Sequence, residues 1–118
     1  MPEQYENVSL DDLVEYSKSM YEYWTEDDFA SSFRKMLTIE QFRSEEMQKL
    51  YQQYLVAGPA SYVKALFESI GIVNAKDKAA RFYAVMHFYY SLYDGAEDKE
   101  NVKDEFVSAI KSLVQDLK

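Results

Sequence analysis

One stretch constrains this chain more than any other. From Asp77 to Gly95 there is no proline and no internal glycine, so the spacing predicts a single helix over about 77–94. Its apolar and aromatic groups are Ala79, Ala80, Phe82, Tyr83, Ala84, Val85, Met86, Phe88, Tyr89, Tyr90, Leu92 and Tyr93, and they nearly encircle the axis. A surface helix buries one stripe, whereas a helix apolar all round is covered on every side. A chain of 118 residues makes one domain, whose core can cover one side of such a helix. The second cover is then expected from another copy of the chain.

Periodicity assigns the remaining segments to helices as well. Ser9 and Asp12 resemble a capping box ahead of a helix over about 10–24, striped by Leu10, Leu13, Val14, Ser17, Met20, Tyr21 and Trp24. Thr25, with Asp27 and Asp28 behind it, opens a second helix reaching about Leu37. Phe29, Phe33, Met36 and Leu37 line its apolar face, and Arg34 and Lys35 fall in the last turn, where the helix dipole favours cations. Ser44, Glu45 and Glu46 start a third helix carrying Met47, Leu50, Tyr51, Tyr54 and Leu55. Gly58-Pro59 interrupts it, and a fourth runs from about Pro59 to Ile70, with Gly71 as its terminator. The inner face of the fourth is Tyr62, Val63, Leu66, Phe67 and Ile70. The acidic run DGAEDKENVKDE reads as a solvated loop entering a last helix over 101–117, striped by Val102, Phe106, Ile110, Leu113 and Leu117. No segment alternates with the strand period of two. The expectation is an all-α fold of about six helices, with residues 1–8 as a flexible lead-in to a single domain over 9–118.

Charge and composition exclude several functions. The net charge of −8 is concentrated at the start: residues 1–32 hold nine acids and one base, and the remaining twelve acids and twelve bases balance. Such a chain has no basic stripe for nucleic acid, so no direct nucleic-acid contact is expected. It has no cysteine and no apolar run near the length of a membrane span. With an acidic N-terminal stretch unlike a signal peptide, a cytoplasmic location away from membranes is expected. His87 stands alone, without the paired spacing of a metal site, and with no elbow around Ser91 for a nucleophile. The three glycines form no phosphate loop. Neither an enzyme nor a metal or other cofactor is expected.

What distinguishes the chain is its rings: eleven Tyr, seven Phe and one Trp, with five Met. Phe29, Phe33, Phe67, Phe82 and Phe106 are read as core. A buried tyrosine is different, because its hydroxyl needs a partner. Tyr16, Met20, Tyr21, Trp24, Tyr51, Tyr54, Tyr62, Met86 and His87 could therefore line a cavity between helices, apolar-walled with a few polar handles. With acids nearby, such a wall could also take a cation over a ring face.

The stretches FRKMLTIEQF (Phe33–Phe42), LYQQYLVAGPASYVKALF (Leu50–Phe67) and AARFYAVMHFYYSLYDG (Ala79–Gly95) resemble the C-terminal regulatory domain of tetracycline-repressor (TetR) family transcriptional regulators of bacteria. The resemblance covers the chain in element order. It implies a helical domain that binds an inducer between its helices, and the ring-rich composition makes a small hydrophobic or aromatic effector, a cation included, the expected one. It also implies a homodimer in which the last two helices pack with the partner's pair as a four-helix bundle. On that pattern the interface would take Ala80, Tyr83, Ala84, Tyr90, Phe106, Ile110 and Leu113. The family's N-terminal helix-turn-helix has no counterpart before Ser9, so DNA binding would need a domain outside this sequence. The alternative reading is a helical protein-interaction module with no small-molecule ligand.

Overall fold

The computed structural model describes residues 9–118, and the expected lead-in over 1–8 lies outside them. The described residues form only helices, with no strand: α1 (Leu13–Glu26), α2 (Asp28–Glu40), α3 (Glu45–Leu55), α4 (Ala57–Ser69), α5 (Ala75–Gly95) and α6 (Lys99–Leu117). No helix among the described residues is long and apolar enough to cross a membrane.

Local chemistry sets the boundaries. Ser9 donates its hydroxyl to the Asp12 carboxylate at 2.9 Å instead of capping a backbone N–H, so α1 begins later than expected, at Leu13. Thr25 does not restart the chain. Its hydroxyl donates to the Tyr21 carbonyl at 2.6 Å within α1. The break falls at Asp27, whose extended backbone (φ −73°, ψ 126°) leaves its carboxylate to accept from Ala30 N at 2.8 Å. Ser44 caps α3 in the same way, accepting from Met47 N at 3.2 Å. Asp98 caps α6 by accepting from Asn101 N at 3.0 Å, which starts that helix two residues before the expected 101. Past α4, Gly71 adopts φ +81° while Ile72 N donates to the Phe67 carbonyl at 2.9 Å, so the expected glycine terminator is present as a Schellman turn.

The break between α3 and α4 depends on a missing side chain. A Cβ on Gly58 would lie 1.8 Å from the Gln53 carbonyl oxygen, so only glycine lets α4 start this close to α3. Pro59 then sits in the first turn of α4, where its lost N–H is not needed. Tyr83 of α5 fixes the same corner by donating its hydroxyl to the Leu55 carbonyl at the end of α3.

Helix α5 is the axis of the fold, packed against α1, α4 and α6. It buries Ala75, Ala79, Phe82, Tyr83, Met86 and Tyr90. Phe67 meets Phe82 edge-to-face at 5.5 Å. Phe106 of α6 lies between Tyr21 of α1, stacked at 4.4 Å, and Tyr89 of α5 at 5.7 Å. Phe67, Phe82 and Phe106 are thus core, as read from the sequence.

Two expectations are corrected by burial. Tyr83, Tyr90, Phe106 and Ile110, assigned above to a subunit interface, are all buried inside one chain, the first two under the helices packed on α5 and the last two where α6 meets α1 and α5. Leu113 is half-buried against the same core. What α5 leaves open is a narrower stripe of Ala80, Ala84, Phe88 and Leu92, with Phe88 57% exposed. The second correction is α2. Phe29 and Phe33 are not core: Phe29 is 75% exposed and Phe33 half-buried. The face that α2 turns inward is Ala30, Ser31, Arg34 and Leu37. Arg34 is not a surface cation near a helix end. It is 5% exposed, its two terminal nitrogens donate to both Asp94 oxygens at 2.9 and 2.6 Å, and its Nε donates to the Trp24 carbonyl at 2.9 Å.

Candidate functional site: an aromatic cleft beside α5

Two helix faces and one corner converge along α5. From α1 come Tyr16, Met20 and Trp24, spaced four residues apart and therefore stacked along one side. From α5 come Tyr83, Met86 and Tyr90, also one face. The α3–α4 corner supplies Gln53, Tyr54, Gly58, Pro59, Tyr62 and Val63. Together they line a cleft of about 230 Å³. Val63, Tyr83, Met86 and Tyr90 are buried and make its floor, while Tyr16, Met20, Trp24 and Tyr62 are half-buried walls. Tyr54, 41% exposed, stands at the rim.

The described residues of the wall carry no charge. Burial first, and then neighbouring tyrosines, push the phenols of Tyr83 and Tyr90 upward, so both stay protonated across the physiological range. The Arg34 guanidinium faces the Tyr90 ring at 5.9 Å. Among the described residues, Gln53, the tyrosine hydroxyls and the Trp24 indole N–H are the polar side-chain groups of the lining, and no acid or base other than tyrosine belongs to it. An apolar or aromatic molecule with few polar groups matches such a surface.

Of the sequence-predicted ligand residues, the fold brings together Tyr16, Met20, Trp24, Tyr54, Tyr62 and Met86. It separates three. Tyr21 points into the core, stacked on Phe106. Tyr51 and His87 lie around the axis of α5 from Met86, in two open grooves bordered by Ser91. There the Tyr51 hydroxyl and His87 Nε2 are 3.5 Å apart, at the edge of hydrogen-bonding distance. Burial, and then the Arg34 charge, lower the His87 pKa, so its imidazole is neutral at pH 7. Adjacent helical residues point about 100° apart, which is why Met86 reaches the cleft and His87 does not.

The protein-family models, the curated proteins and the solved structures compared with this chain contain no match to it. The cleft therefore speaks through its own geometry. Sequence reasoning missed Tyr83 and Tyr90 as cleft residues, although both share the face of Met86 at spacings of three and four. That phase was a usable signal. Gly58 and Pro59 carried none, because only the close approach of α4 to Gln53 brings them to the wall.

Proposed function

We propose that the chain is an effector-sensing domain of the TetR-like type, which takes a small hydrophobic or aromatic molecule into the cleft between α1, α4 and α5. The observation that carries the reading is the convergence of Tyr16, Met20, Trp24, Tyr62, Tyr83, Met86 and Tyr90 from three helices onto one uncharged opening. A cationic effector fits less well than a neutral one, since the described lining residues include no carboxylate and Arg34 lies behind Tyr90.

The same reading includes a homodimer, now on revised residues. The stripe Ala80, Ala84, Phe88 and Leu92 is the outward face of α5, and its two alanines allow close helix approach. Since Tyr83 and Met86 face the cleft from this helix, ligand occupancy and subunit geometry would be joined through α5. The same stripe favours a second reading, a helical module that docks another protein along this open apolar face.

A thermal-shift screen of neutral aromatic compounds tests the choice. A ligand that binds the folded state raises Tm by linkage, and the shift should vanish in Tyr62→Ala and Met20→Glu. A screen without a single cleft-dependent shift would leave the interaction module as the better reading.

A further inference from the structure

Helix α2 is amphipathic in the usual sense, yet its aromatic stripe points away from the core. Phe29, Phe33 and Met36 share one face at spacings of four and three, and that face looks outward. The orientation is held by Arg34, which is bonded to Asp94 and to the Trp24 carbonyl from the opposite side. This stripe is not isolated. The Phe33 ring meets the cleft residue Tyr54 edge-to-face at 5.3 Å, and the Phe29 ring lies parallel to Phe33 at 6.2 Å. Rings thus run without a gap from the cleft rim to the exposed surface. The cleft itself, about 230 Å³, is smaller than the roughly 300–1,000 Å³ of sites that enclose a whole drug-sized ligand.

We infer that Phe33 and Phe29 form an outer subsite of the cleft, and that the molecule bound is a flexible, non-anionic alkyl-chain compound longer than the cleft. This deepens the effector reading and rests on it. Flexibility follows from the junction. The Tyr54 and Phe33 rings are 85° apart, so a rigid flat molecule on one face cannot lie on the other, while an alkyl chain turns the corner. Lack of negative charge follows from the far end of the track, where Asp27 and Asp28 precede Phe29 and would repel an anionic head.

The test is a series of straight-chain 1-alkanols from hexanol to decanol, titrated against the full chain and followed by the emission of Trp24, the sole tryptophan and a cleft residue. The quantity read is the ratio of decanol to hexanol affinity. Each methylene removed from water is worth about fourfold in affinity. In Phe29→Ser/Phe33→Ser the ratio should fall by about tenfold or more. In Phe42→Ser, which removes a still more exposed ring outside the track, it should stay as in the wild type. An unchanged ratio in the double variant, or the same fall in Phe42→Ser, overturns the subsite while leaving the cleft reading intact. A halved sedimentation mass for Phe29→Ser assigns the face to a second chain and also overturns it. Failure of every alkanol to bind the wild type overturns the cleft reading, and the subsite with it.

Discussion

Helices α1 and α2 are neighbours of similar length, each with an aromatic stripe at helical spacing, and they use it in opposite ways. In α1 the stripe turns inward: Tyr21 stacks on Phe106, and Tyr16, Met20 and Trp24 wall the cleft. In α2 the aromatic stripe faces solvent, and the buried face holds two small residues, a leucine and an arginine. The difference teaches that a hydrophobic period shows that a face exists without showing where it looks. On α2 the direction is set by one ion pair. The fold gives Arg34 two carboxylate oxygens and a carbonyl, and with it pinned the phenylalanines have nowhere to go but out.

The largest effect should come from truncating the buried ring on α1. Tyr21→Ala opens a cavity beside Phe106 and is expected to destabilise by about 3–5 kcal/mol in denaturant unfolding. Next is the pin itself. Asp94→Ala leaves a guanidinium buried without its partner, which costs about 3 kcal/mol, at the low end of the range because Asp94 is partly exposed. Adding Arg34→Met should recover most of that loss, since the stranded charge goes with it. If Asp94→Ala unfolds at the wild-type midpoint, the ion pair does not set the rotation of α2.

Helix type and order were legible in the sequence, because glycine, proline and acidic caps punctuate long periodic runs. The inward stripes of α1, α4 and α6 were legible for the same reason. The rotation of α2 was not, because Arg34 and Asp94 are sixty residues apart and nothing in either neighbourhood announces the pair. The cover of α5 was misjudged in a similar way. Tyr83 and Tyr90 look like surplus apolar groups of α5 in a linear reading, Phe106 and Ile110 were given to the interface only by the family resemblance, and the packing of α1, α4, α5 and α6 buries all four within one chain. At the cleft, the residues on α1 were readable from their four-residue spacing, while Gly58 and Pro59 required the approach of two backbones.

A smaller effect tests the corner that holds the cleft open against α1. In Gly58→Ala the new methyl collides with the Gln53 carbonyl, so α4 must shift. A loss of about 2 kcal/mol is expected, together with weaker ligand binding. An unperturbed variant would show that the corner is looser than the structure draws it.

Acid should act through His87, on the far side of α5. Its pKa is lowered in the folded state by burial and by Arg34, so the unfolded chain binds the proton better. This part of the stability is present above the ordinary histidine value of 6.5 and is lost as pH falls below it, through the folded pKa. His87→Gln should flatten that slope in melting curves recorded between neutral and mildly acidic pH. A slope that persists in the variant would place its source elsewhere. The smallest effect completes the comparison. Phe29→Ala on α2 should change stability by no more than about 0.5 kcal/mol, against the several kcal/mol of Tyr21→Ala.

The central claim is that the inward rings of α1, with those of α4 and α5, make a binding site. Titration with N-phenyl-1-naphthylamine, a neutral apolar dye that emits when shielded from water, tests it most directly. Saturable binding of one dye per chain is expected, with energy transfer from Trp24 and loss of both in Met20→Glu. Binding that does not saturate, or that survives Met20→Glu unchanged, would contradict it.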